Sequence, residues 1–120
     1  MKYMLLIYDN EKVWADMPPA EQGRLFGEYM KFTEDIKASG HYIAGAPLQP
    51  VATATSVRVR DGKRFVTDGP FAETREQLGG YFLIEAKNLD EAITIAARIP
   101  MAHKGTIEVR PVVEIAGLPE

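Results

Sequence analysis

The chain has no cysteine, and that single absence removes disulfides, thiolate metal ligands and any catalytic thiol. Histidine is scarce as well. His41 and His103 lie far apart, neither with a second histidine or a carboxylate at ligand spacing, so no metal is expected. There is no surplus of positive charge. Fourteen lysines and arginines face 17 aspartates and glutamates, a net charge of −3, and nucleic acid is not an expected partner. Long hydrophobic runs are missing. The apolar stretch within Met1–Tyr8 is too short for a membrane span, and Asp9-Asn10-Glu11 stands where a signal peptide would carry small residues. A cytoplasmic protein without a membrane partner is the expectation. Neither Gly23 and Gly27 nor Gly79-Gly80 fits a dinucleotide or phosphate-loop pattern, and Ser39 and Ser56 lack triad context, so no cofactor is expected.

What is present is an ordinary globular composition: 120 residues, 46% apolar and 26% charged, the size of one domain spanning 1–120. Residues 2–8 read as a strand, followed by a polar connection over 9–17 that carries the only tryptophan, Trp14. Pro18-Pro19 open a helix whose apolar stripe is Leu25, Tyr29, Phe32 and Ile36, and Gly40 closes it. Residues 41–50 hold a short irregular strand. Residues 55–60 alternate, Asp61-Gly62 supplies a two-residue turn, and 64–67 return as the partner strand. Asp68-Gly69-Pro70 breaks that strand, and 71–78 form a loop or one helical turn. A strand over 80–86 follows, then a helix capped by Asn88 with Glu91 three residues on and a stripe of Leu89, Ala92, Ile93, Ala96 and Ala97. Pro100 stops that helix, and 106–115 form the last strand. Two β-α-β units in series predict an α+β, ferredoxin-like βαββαβ fold with an inserted β-hairpin: an antiparallel sheet with both helices on one face.

Such a sheet should be apolar toward its helices and polar toward water. Here Tyr3, Leu5 and Ile7 point one way while Met4, Leu6 and Tyr8 point the other, and Tyr81 and Leu83 against Phe82 and Ile84 repeat the pattern. An exposed patch of that size is uncommon on a monomer, which predicts a homodimer joined through the sheet face. The other way to cover it, folding the 9–17 loop or the hairpin over it, lacks enough apolar residues.

Two segments carry candidate chemistry. In the last strand Ile107, Val109, Pro111 and Val113 share one face, and Glu108, Arg110 and Val112 the other. Glu108 and Arg110, joined by Glu85 of the neighbouring strand, are then either ligand-facing charges in a wet cleft or a half-exposed pair at the sheet margin. The run Asp68–Glu76 places three carboxylates and one guanidinium within nine residues. On one reading Asp68, Glu73 and Arg75 line a pocket, a carboxylate acting as base and Arg75 gripping an anion; on the other, Asp68 makes a local turn and the charges are solvated. Tyr8 and Trp14 stand near a strand end, suited to a pocket mouth, and His103 is a surface candidate for acid–base work.

Met1–Tyr8, Asp68-Gly69-Pro70-Phe71-Ala72-Glu73-Thr74-Arg75-Glu76, Gly79-Gly80-Tyr81 and Ile107–Pro111 together resemble the DGPF branch of the YCII-related proteins. The resemblance runs over nearly the whole chain. It implies a dimeric α+β barrel of ferredoxin-like subunits, and it adds weight to Asp68, Glu73, Arg75, Glu108 and Arg110. The better-studied YCII branch has been proposed to be enzymatic through a histidine in the first helix and an aspartate. Residues 18–39 here contain no histidine, and Ile99-Pro100 stands where that branch has Asp-Pro, so its activity does not carry over. Genes of the DGPF branch often lie beside extracytoplasmic-function sigma factors. Two functions follow as expectations. One is a small-molecule enzyme for an anionic or aromatic ligand, with Asp68 or Glu73 as acid or base and Arg75 or Arg110 as anion grip. The alternative is a non-catalytic ligand-binding or regulatory module associated with a sigma factor.

Overall fold

The unbroken run of apolar and aromatic residues at the start forms β1 (Lys2–Asp9), a central strand in the computed structural model, which describes residues 1–119. A short helix follows, α1 (Glu11–Ala15), where the sequence suggested only a connection. Asn10 caps it, its side-chain oxygen accepting from the Lys12 N–H at 3.0 Å. Helix α2 (Pro19–Ala38) buries Leu25, Phe32 and Ile36 as its stripe predicted, with Tyr29 half-buried. It ends in a Schellman motif: Gly40 at φ +80, the His41 N–H reaching the Ile36 carbonyl and the Gly40 N–H that of Lys37.

Strand β2 (Tyr42–Pro47) is an edge strand with an irregularity between Tyr42 and Ala44. The hairpin comprises β3 (Thr55–Arg60) and β4 (Lys63–Asp68), and both turn residues take positive φ, Asp61 at 53 and Gly62 at 73. Strand β5 (Gln77–Glu85) begins three residues before its expected start and runs through both glycines. A Cβ on Gly80 would meet the Ala46 carbonyl oxygen at 3.0 Å, so glycine there lets β2 approach closely. Helix α3 (Leu89–Ala97) buries Ala92, Ile95 and Ala96. Leu89 and Ile93, expected inside, are 47% and 49% exposed, because the helix turns its Ile95 side to the sheet. A 3₁₀ turn, Pro100–His103, leads to β6 (Thr106–Pro111), four residues shorter at its end than the alternation suggested.

The sheet order is β2-β5-β1-β6, every neighbouring pair antiparallel, with β3 and β4 forming a separate two-stranded sheet. This is the α+β, ferredoxin-like arrangement with an inserted hairpin. Tyr3, Leu5, Ile7, Phe82 and Ile84 meet Phe32, Ile36, Ile95 and Ile99 in one core between sheet and helices. The opposite face is formed by Met4, Leu6, Tyr8, Ala44, Ala46, Tyr81 and Leu83, all partly open, and among the described residues no helix packs over it. Among the described residues, no helix is long and apolar enough to cross a membrane.

Candidate functional site

Register decides which charges meet on the uncovered face. On β1, Leu6 lies opposite Glu108, Met4 opposite Arg110 and Tyr8 opposite Thr106. Because Tyr8 and Glu108 share that face, the Tyr8 hydroxyl donates to Glu108 Oε1 at 3.4 Å, and Arg110 Nη1 stands 3.9 Å from Glu108 Oε2. Three polar side chains thus form one group beside a floor of Met4, Leu6 and Tyr81. Desolvation, then the charge and hydrogen bond of Glu108, push the Tyr8 phenol above its usual 10.0, while Arg110 works against the shift. Glu85 does not join them. It pairs across from Lys2, four residues along β1 from Leu6 and so roughly 13 Å away. Its carboxylate holds the N-terminal ammonium at 2.7 Å instead.

A second group, not anticipated from the sequence, sits where β1 ends. Asp9 is half-buried beside Gly79, and its carboxyl is raised above the usual 3.8 by desolvation first and then by the charges of Glu11 and Glu76. Tyr29, from α2, is pushed up to about 12 by burial, with Asp9 adding to the effect and a backbone hydrogen bond at Met101 opposing it. Asp9, Trp14, Met17, Met101 and Lys104 line a small cavity of about 20 Å³, room for roughly one water. Glu76 links the two groups, accepting from the Thr106 hydroxyl at 2.7 Å. Glu11 is tied down by the Val51 N–H at 3.1 Å. A half-buried carboxyl whose pKa is raised by desolvation first and by two neighbouring carboxylates second marks this strand end as a second candidate site. The signal in the sequence was slight: an aspartate closing an apolar strand.

The motif residues lie elsewhere. Asp68 is paired with Thr55 at the root of the hairpin, while Glu73 and Arg75 stand on the loop that runs from Gly69 to Glu76. All three are exposed, and among the described residues none makes an ion pair. Phe71 beside them is 82% exposed. That loop ends at Glu76, so it runs from the hairpin to the Tyr8–Glu108 end of the sheet. A wider concavity, about 510 Å³, lies along the hairpin and is bounded by Arg58, Arg60, Phe65, Pro70 and Phe71. His103 closes the 3₁₀ turn and is exposed; its neighbours Met101 and Lys104 line the small cavity, but it does not.

One constellation that the sequence did not suggest is Ser39–His41–Glu91. Ser39 Oγ lies 2.7 Å from His41 Nδ1, and His41 Nε2 lies 3.2 Å from Glu91 Oε1. It has the residue types of a nucleophilic triad but no oxyanion hole. The nearby Gly40 and His41 N–H groups are both spent on the helix cap. The chain of bonds instead ties the end of α2 to the start of α3, where Glu91 also accepts from the Lys87 N–H. Among the described residues no cluster of histidine and carboxylate side chains is arranged to hold a metal.

A family model described as the YCII-related domain matches residues 1–116. An uncharacterized protein of Rhizobium meliloti (strain 1021) is 35% identical over 113 residues, covering 92% of this chain and 91% of that one. Among solved structures, 5-chloro-2-hydroxyhydroquinone dehydrochlorinase (TftG) from Burkholderia phenoliruptrix AC1100, in complex with 2,5-dihydroxybenzoquinone, superposes with a TM-score of 0.50. The identity is 16%, with 94% of each chain covered, so that likeness bears on fold alone. By the extent of the family match and the identity to the Rhizobium protein, the chain belongs to the YCII-related family.

Proposed function

We propose that this protein is a homodimeric α+β barrel of the DGPF branch, a single-domain small-molecule enzyme whose site lies between the two facing sheets. One observation carries the reading: Tyr8, Glu108 and Arg110 stand together on an apolar sheet face that, among the described residues, no helix covers. Opposing that face with a second copy removes water from Met4, Leu6 and Leu83 and lowers the dielectric around the polar group. A charge or proton placed there then acts far more strongly than on an open surface.

In this site Arg110 holds the anionic group of a planar or aromatic ligand. Tyr8 and Glu108 form the acid–base pair. We place Glu73 and Arg75, on the loop that ends at Glu76, at the mouth, with Asp68 fixing the root of that loop. The fold is compatible with such chemistry, since a protein of similar architecture is a dehydrochlorinase. The DGPF assignment is supported by Asp68-Gly69-Pro70-Phe71 itself.

The test joins assembly and binding. Light scattering at micromolar concentration is expected to give twice the chain mass. Thermal shift with benzoate and with 2,5-dihydroxybenzoquinone is expected to raise the melting temperature, as a ligand at 100 times its Kd adds about 2.7 kcal/mol. Arg110→Ala abolishes the benzoate shift. A monomer, or an Arg110→Ala protein that responds like the wild type, sinks the reading.

A further inference from the structure

The β3–β4 hairpin is well formed yet supported by almost nothing. Every residue from Val57 to Asp68 is exposed, and neither strand makes substantial contact with any element but the other. Val57, Val59 and Val66 are each 59% exposed, and Val57 faces Val66 across the ladder. A lone two-stranded hairpin is marginal in water, and one that displays an apolar face is a poor solution for a free monomer. The projection also shows in the dimensions. The radius of gyration is 16.4 Å, against about 14 Å for a compact chain of this length.

Charge points to what the hairpin meets. Residues 55–68 hold Arg58, Arg60, Lys63 and Arg64 against Asp61 and Asp68, which leaves ten cations and fifteen carboxylates in the remainder of the chain. The hairpin is net positive and the body net negative. Among the described residues, none of the four hairpin cations makes an ion pair. We infer that the hairpin is an arm that clasps a second copy of this chain, its valine face, which also carries Arg64, packed on the partner, and Arg58, Arg60 and Lys63 on the other face set among the partner's carboxylates. This rests on the sheet-to-sheet dimer proposed above and extends it with a second contact, one that brings the loop after Asp68 up against the other subunit.

Wild type, Val57→Ser/Val66→Ser and Arg58→Glu/Arg64→Glu are compared by sedimentation equilibrium, with hydrogen exchange of the hairpin amides at high and low protein concentration. All four substituted positions are exposed and lie outside the core between sheet and helices, so the body of each subunit stays folded, which circular dichroism of each variant checks. Expected are a dimer dissociation constant raised at least about tenfold in each variant, and hairpin amides whose protection falls on dilution. Added salt weakens the wild-type dimer but not the Arg58→Glu/Arg64→Glu dimer to the same degree. A wild-type dimer whose hairpin amides exchange freely, with both variants dimerising as tightly, overturns the arm and leaves the sheet dimer standing. A wild type that is monomeric at high concentration overturns both. Hairpin protection that is unchanged by dilution into the monomer range overturns the arm alone.

Discussion

Strand β1 presents two apolar faces that meet different fates. Tyr3 and Leu5, 2% and 0% exposed, lie under α2 and α3. Met4 and Leu6, one residue away in each case, are partly open and, among the described residues, have no helix packed over them. Alternation sets which residues share a face, but burial depends on what lies over that face. The lesson extends to the hairpin, whose alternation is as regular as that of β1 and which buries none of its apolar residues.

The contrast predicts unequal costs for equal truncations. Leu5→Ala is expected to destabilise by about 2–5 kcal/mol in urea unfolding at any protein concentration. Leu6→Ala should cost markedly less under dilute conditions and approach the Leu5→Ala value only where the protein is dimeric. Equal costs at high dilution would mean that the second face is covered within one chain. Leu6→Asp sharpens the same point. If the sheets face one another as proposed, a carboxylate at their centre is expected to raise the dimer Kd by at least about 100-fold, about 2.7 kcal/mol, read by sedimentation, while the monomer stays folded.

Smaller effects test the elements that cover the buried face. The Asn88 side chain accepts from the Glu91 N–H at 2.9 Å, so Asn88→Ala is expected to cost about 1 kcal/mol in thermal unfolding. Asp9 ends β1, and its raised pKa fixes a sign. The folded state binds that proton more tightly than the unfolded chain does. Its favourable contribution is therefore complete below the unfolded value near 3.8 and is lost as pH rises through the folded pKa. Asp9→Asn is accordingly expected to raise the melting temperature slightly at neutral pH, with the gain disappearing in acid. A destabilised variant at neutral pH would mean that the ionised carboxylate is structurally required.

Much of the fold was legible because local signals and burial agreed. Pro18-Pro19, the Leu25–Ile36 stripe, Asp61-Gly62 and Asn88 each specify a helix start, a face, a turn or a cap through chemistry confined to a few residues. Helix α1 was missed because Glu11–Ala15 is too short to show a periodic stripe. Ile95 and Ile93 exchanged places for a related reason: a nine-residue helix rich in alanine allows more than one inward face, and packing against the sheet chose between them. The Tyr8–Glu108–Arg110 group was half readable. Alternation put Glu108 and Arg110 on one face, but their meeting with Tyr8 depended on the β1–β6 register.

The residue order by itself determined the elements, the turn and caps that bound them, and the presence of two apolar faces on one sheet, since all of these follow from interactions within a few positions. Tertiary structure alone decided that Asp9 sits among Glu11, Glu76 and Tyr29, that Ser39, His41 and Glu91 form a chain of bonds, and that the hairpin stands clear of the body. Each cluster depends on a partner tens of positions away, Glu76 for Asp9 and Glu91 for His41. Their proximity is set by strand register and helix packing, which no local pattern encodes.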